Sequence, residues 1–287
     1  MDFVVSQTLN GLTLGTLLFL TASGLSVVIG LMRILNLSHG ATFLFGGFVG
    51  MSVQVATGNF FLSVVAGIVA AAVLGWVVQR LFLAQLMGSS FRQVLLTLGI
   101  AFVVSDGILW IWGGIPRAIK PPSVLDGSVA IAGTTYPTYR LFLIALGLAA
   151  GLALWVLWER SLWGAKLRAC VDDRPIAAAQ GINVGAVFSA VFVIGAALAG
   201  MAGVLGGVVL GVSIGLDFQM QLLALVVVII GGLGSLNGAF VGSMLVGLLD
   251  SFSKGSFPTL AYFTIFAPVV IILILRPQGL FGKEGGL

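Results

Sequence analysis

What most restricts this chain is a succession of apolar, nearly uncharged runs, each about as long as a bilayer is thick. A hydrocarbon core of about 30 Å takes roughly 20 apolar residues of helix. Runs of that kind fall at 7–31, 35–57, 60–80, 93–112, 140–158, 184–214 and 260–275, with a longer stretch at 219–252. Only 8% of the residues are charged and 59% are hydrophobic, against about 25% and 45–50% in soluble domains. Glycine, at 41 of 287 residues, is about twice its usual share, without a collagen period. Small residues at that density let membrane helices approach closely. The expectation is an all-α, polytopic integral membrane protein, a single transmembrane domain over 1–287. It has about eight membrane segments plus one broken or re-entrant pair.

The broken pair lies in 219–252, which is too long for one straight span and carries GGLGSLNG at its middle. Glycine, serine and asparagine there predict two short helices, near 219–231 and 238–252. Non-helical backbone at membrane depth survives only when buried in protein or lining a water-filled cavity. Gly231, Gly232, Gly234, Ser235 and Asn237 are therefore candidate pathway or gate residues. A second polar interruption, NLSHG at 36–40, holds the chain's one histidine. It adds Asn36, Ser38, His39 and Gly40 to the same set. For His39 two roles stay open, a structural hydrogen bond fixing the turn and direct contact with substrate.

Lysine and arginine collect in cytoplasmic loops. With the N-terminus outside and the C-terminus inside, Arg33, Arg80, Arg92, Arg160, Lys166, Arg168, Arg174, Arg276 and Lys283 lie inside, nine of the 13 basic residues. Arg117, Lys120, Arg140 and Lys254 lie outside. This asymmetry accounts for the net charge of +4 without a nucleic-acid partner. Residues 113–139, rich in proline, glycine and threonine, then form a periplasmic loop, and 159–183 a cytoplasmic one. The start, MDFVVSQTLN, lacks the basic region of a signal peptide. A single cysteine, Cys170, makes no intrachain disulfide.

Within the cytoplasmic loop, DDRPIAAAQG reads as a short helix. Asp172 or Asp173 caps it, Pro175 fits its first turn and Gly181 stops it. Two turns are not stable alone in water. The helix needs a surface, which is either a partner protein or its own bundle. In the sixth run, Gly195, Ala199, Gly203, Gly207, Gly211 and Gly215 recur every fourth position and so share one helix face. That face serves tight packing or sliding during gating.

Several chemistries are missing. Gly282-Lys283 is followed by Glu284 and has no glycine five residues before it, so there is no phosphate-binding loop. In GGLGSLNG, Asn237 stands where a dinucleotide fingerprint needs its third glycine. One histidine and one cysteine do not build a zinc site. No catalytic residue, metal or cofactor is expected on this chain. An intramembrane enzyme built on His39 would lack a marked nucleophile. Asp106, more interior in its span than Asp217 or Asp250, leaves open a self-sufficient secondary carrier.

Five ordered blocks then resemble one family: GLMRILNLSHGATFLFGGFVG, RACVDDRPIAAAQGIN, FVIGAALAGMAGVLGG, GGLGSLNGAFVGSMLVGLL and LRPQGLFG. They look like bacterial branched-chain amino acid ABC importer permeases, the LivH-type subunit rather than the LivM-type. The resemblance covers nearly the whole chain. It implies an inner-membrane importer working by alternating access. Its partners would be a second, LivM-like permease, two cytoplasmic ATPases carrying ATP-Mg, and a periplasmic substrate-binding protein. The family's coupling loop falls on Arg168 through Gly181. That implies ATPase coupling for Arg168, Asp172, Asp173, Arg174, Pro175, Ala178 and Gly181. Its NxxHG block falls on Asn36, His39 and Gly40. Ala41 stands where many relatives carry glutamate, so no role for an acid follows. Permeases for urea, short amides or aromatic acids share these motifs, and the substrate stays open among them.

Overall fold

The computed structural model describes residues 2–32, 35–86, 89–131 and 133–282, and over them the chain is an all-α bundle of apolar helices. In chain order these are α1 (Asp2–Met32), α2 (His39–Thr57), α3 (Phe60–Val77), α4 (Ser90–Trp112) and α5 (Thr138–Trp155). Then come α6 (Leu162–Asp172), α7 (Arg174–Ala179), α8 (Val184–Val209), α9 (Leu216–Gly231), α10 (Leu236–Ser256) and α11 (Ala261–Leu275). Seven helices are long and apolar enough to cross a membrane, and Leu216–Gly231 and Phe263–Leu275 are shorter apolar ones. A small antiparallel hairpin, β1 (Ser128–Ile131) and β2 (Thr134–Pro137), occupies the expected 113–139 loop.

α1 is apolar on every side, and such a helix belongs in the middle. Leu17, Leu18, Phe19 and Leu20 are fully buried, with α5, α8, α9 and α10 packed around them. Glycines set how close these helices come. Gly24 of α1 meets Gly195 of α8, Gly46 of α2 meets Gly200, and Gly11 and Gly15 of α1 meet Gly247 of α10. A methyl group at Gly11, Gly24, Gly46, Gly200 or Gly247 would collide with backbone, and one at Gly15 or Gly195 would be tightly squeezed. The predicted face of α8 is buried at Gly195, Ala199, Gly203 and Gly207. A second small row, Ala196 and Gly200, packs on Gly75 and Ala71 of α3.

Three boundaries differ from the sequence reading. The sixth span stops at Val209 rather than 214, so Gly211 and Gly215 are not on its helical face. They have φ of 75° and 95°, a left-handed conformation that suits glycine and ends a helix. Val212 between them exchanges backbone hydrogen bonds with Arg117 at 2.7 and 3.0 Å, which a helical residue could not do. The second helix begins at His39, not 35. The break in 219–252 falls where expected, at 232–235, but the helices beside it are longer than 219–231 and 238–252: α9 has 16 residues and α10 has 21. The α9–α10 turn packs at Gly234 on Gly30, close to the end of α1, so the hairpin runs the length of the bundle. Arg33 and Lys283, counted above for orientation, lie outside the described residues.

Candidate functional site

The NLSHG interruption is folded back into the bundle. His39 Nε2 lies 2.9 Å from the carbonyl oxygen of Thr21, so that nitrogen carries the proton it donates. Thr21 is eleven residues before the end of α1, about 16 Å of helix, so the break lies inside the bundle rather than level with that end of α1. Asn36 Oδ1 accepts from Ser38 N at 3.1 Å and Ser38 Oγ at 2.7 Å. Gly40 N donates to Gln221 Oε1 at 2.7 Å, and Gln221 Nε2 donates to Asn36 O at 3.3 Å. Leu37 N donates to Thr97 Oγ1 at 3.2 Å. Asn36, Ser38, His39, Thr97 and Gln221 are all buried. A Cβ on Gly40 would strike the carbonyl of Asp217. These hydrogen bonds, within the break and to Thr21, Thr97 and Gln221, tie the α1–α2 connection to α1, α4 and α9.

Thr97 and Gln221 were missed by the sequence reading. The available signal was weak, a polar side chain just before an apolar run in each of two helices that carry other polar residues as well. Replacing Gln221 with leucine should strand the Gly40 N–H and the Asn36 carbonyl, at about 1–3 kcal/mol for a buried unsatisfied group. Scanning fluorimetry of the purified protein should show a lowered melting temperature, and an unchanged one would refute the clasp.

The Gly231–Gly238 break is closed in another way. Gly232 and Gly234 have φ of 100° and 78°. Ser235 Oγ caps α10 by accepting from Gly238 N at 3.0 Å. The last carbonyls of α9 would otherwise lack partners. Leu280 N donates to Ile230 O at 2.9 Å and Phe281 N to Gly231 O at 3.0 Å. The RPQGLFG segment thus seals this helix end, with Gly279 pressed on Gly232, while Asn237 is exposed.

Residues 159–183 hold two helices, of which α6 was not anticipated. Asp173, not Asp172, caps α7: its Oδ1 accepts from Ile176 N at 3.0 Å. Pro175 lies in the first turn. Gly181 has φ of 80°, with Ile182 N donating to Ala177 O at 3.1 Å and Gly181 N to Ala178 O at 3.0 Å. That is a Schellman closure. Leu167, Cys170 and Ala177 pack with Val27, Val28 and Phe188 at the ends of α1 and α8, and Arg174 stacks 4.7 Å over the Phe188 ring. Asp172, Arg174, Pro175, Ile176 and Ala178 stay exposed, as does Arg168 in α6. So α7 packs on its own bundle through the buried Ala177 and the Arg174 stack on Phe188, and presents the rest outward. Burial pushes the Cys170 thiol pKa up, against an opposing pull from Arg174. Cys170 is therefore expected to resist maleimide at neutral pH until the protein is denatured; rapid labelling of the native protein would show that the α6–α7 packing opens.

Of the acids, Asp106 is exposed on the perimeter of α4, not interior. Its neighbour Ser105 instead bonds Asp217 Oδ2 at 2.5 Å. Within this chain Asp106 does not face the bundle interior, where a self-sufficient carrier would place its acid. Among the described residues no group of three or more metal-ligating side chains converges.

The non-helical segment 210–215, which the small-residue spacing concealed, borders a cavity of about 610 Å³. Its walls come from α1, α5, α9 and α10, and include Gln7, Asn10, Arg140, Asp250 and Lys254.

A family described as "Branched-chain amino acid transport system / permease component" matches residues 7–275. The high-affinity branched-chain amino acid transport system permease protein LivH of Escherichia coli K12 is 28% identical over 300 residues, covering 98% of this chain and 96% of that protein. LivH of Salmonella typhimurium is 27% identical, with 98% and 96% covered. BraD of Pseudomonas aeruginosa, a permease protein with the same description, is 26% identical, with 97% and 96% covered. Among solved structures, PsaBC from Streptococcus pneumoniae in complex with Fab aligns with a TM-score of 0.50 at 16% identity, over 93% of this chain and 89% of that one. That likeness is one of fold.

Proposed function

The chain belongs to the family of branched-chain amino acid transport system permease components, and on that premise we propose that it is the LivH-like membrane subunit of an ABC importer for branched-chain or other hydrophobic amino acids. The observation that carries this reading is α7. A helix of six residues, capped at both ends and held by one buried alanine and the Arg174 stack on Phe188, offers its remaining surface to something outside the bundle. Two ATPases bearing ATP-Mg are the partners proposed for that surface, with Arg168, Asp172, Asp173, Arg174, Pro175, Ala178 and Gly181 around it. A periplasmic binding protein would meet the opposite end, near β1 and β2. The exposed Asp106 supports a second, LivM-like permease against α4. A carboxylate facing lipid costs about 2.5–3.5 kcal/mol at mid-span, and a neighbouring subunit would shield it.

The bacterial inner membrane and an outside N-terminus complete the reading. Among the described residues, Arg80, Arg92, Arg160, Lys166, Arg168, Arg174 and Arg276 gather at the α7 end, and Arg117, Lys120, Arg140 and Lys254 at the other. An impermeant thiol reagent should label Asp2→Cys from outside and Lys166→Cys only after permeabilisation, in a Cys170→Ser background. The reverse pattern would invert the topology.

The function itself is tested by purifying the importer from its host through a tag on this chain. Native mass spectrometry should find a second permease and two ATPases, and proteoliposomes with the binding protein should accumulate leucine only with ATP. This chain alone, active without ATP, would overturn the reading.

A further inference from the structure

Both polar breaks are closed to a solute, one by its own hydrogen bonds and the other by the C-terminal segment. The large space is elsewhere. At about 610 Å³ the cavity falls in the range of small-molecule sites, about 300–1,000 Å³. Its charged rim is organised by α1. Asn10 Oδ1 accepts from Arg140 of α5, and Gln7 Oε1 accepts from Ser251 of α10 at 2.6 Å. Asp250 beside it is 4% exposed and pairs with Lys254 Nζ at 2.8 Å. Gln7 and Asn10 are three apart and Leu14 and Leu17 continue the same helix face. With Met220 and Leu223 of α9 they give the cavity an apolar floor.

We propose that this cavity holds the amino acid zwitterion in transit, the α-carboxylate on Arg140, the α-ammonium at Asp250 and the aliphatic side chain on the Leu14–Leu17 floor. The inference rests on the amino acid importer reading above. A guanidinium fork matches a carboxylate in a bidentate way. The half-exposed Lys254 can swing out to solvent, and the substrate ammonium would take its place on the Asp250 carboxylate. An apolar floor beneath a rim of both charges suits an aliphatic amino acid better than a lipid tail or an inorganic ion. The space exceeds what a tight clamp would leave, so the hold is weak, which suits a subunit that must release what it receives. Backbone of the non-helical 210–215 segment lines the space, as irregular backbone within a membrane should.

The test uses the whole importer in nanodiscs with its binding protein, loaded with a diazirine analogue of leucine and irradiated. Adducts should fall within residues 7–17 and 216–223. Arg140→Gln should reduce them about tenfold or more, the effect of losing one charge-assisted contact, and Arg140→Lys should restore part of the loss. In uptake assays Arg140→Gln and Asp250→Asn should lower the maximal rate with the half-saturating concentration unchanged and all subunits retained. Adducts only at 33–40 or 231–238, no adducts, or wild-type rates in both variants would overturn the proposal. Failure of the wild-type importer to take up leucine with ATP would overturn the importer reading, and this inference with it.

Discussion

Gly203→Leu should remove most of the folded protein from the membrane. A Cβ at 203 would land on the carbonyl oxygen of Phe43, with the backbone nitrogen of Gly47 at 2.9 Å. Both are backbone atoms of α2, so no side chain can swing aside and the two helices must part. Overpacking a well-fitted core costs about 1–3 kcal/mol, and a leucine at a backbone-to-backbone crossing belongs at or above that upper end. Native proteins hold only about 5–15 kcal/mol in reserve, so membrane levels should fall severalfold and uptake with them. Two graded substitutions on the same helix sharpen the test. At Gly207 a Cβ would meet Ile119 Cδ1 at 2.6 Å, the movable end of a side chain, so Gly207→Ala should be milder than Gly203→Ala. At Gly185 the one neighbour within 4 Å among the described residues is Asn183 Oδ1 at 3.6 Å, and Gly185→Ala should cost nothing. Equal levels for Gly203→Leu and wild type, by quantitative blotting and size-exclusion chromatography, would show that α8 does not cross α2 at this residue.

Counting apolar residues located the membrane helices because bilayer thickness fixes their length whatever they pack against. The capped α7 was equally legible, since Asp173, Pro175 and Gly181 act on backbone atoms a few residues away. What the sequence concealed depends on distance along the chain. Asn36 and His39 look like lining for a pathway until Thr97 and Gln221, 60 and 185 residues distant in their hydrogen bonds, are placed beside them. The Gly231 break reads as open because nothing local shows that Leu280 and Phe281 return to cap it. The four-residue rhythm through Gly211 and Gly215 carries no information about φ, so a break in the helix was mistaken for its continuation. The cavity was invisible for the same reason, its rim being shared by three helices.

The second large effect is expected at Ile176. Its side chain is 61% exposed on a helix too short to persist unaided, so the isolated bundle gains little from it. Burying an isoleucine against a partner contributes about 1.5–3 kcal/mol, roughly ten- to a hundredfold in affinity. Ile176→Glu forfeits that and forces a carboxylate into the contact. The ATPases should then be lost on purification and ATP-driven uptake should drop by about the same factor, while the melting temperature of the permease stays put. Asp173→Ala acts indirectly, by removing an N-cap worth about 1 kcal/mol, and should give an intermediate loss. Ala177→Glu, which places a charge at the one buried residue of α7, should lower both the melting temperature and ATPase retention. If Ile176→Glu keeps its ATPases while Ala177→Glu loses stability alone, α7 serves only its own bundle, and the docking surface must be sought on the exposed face of α6.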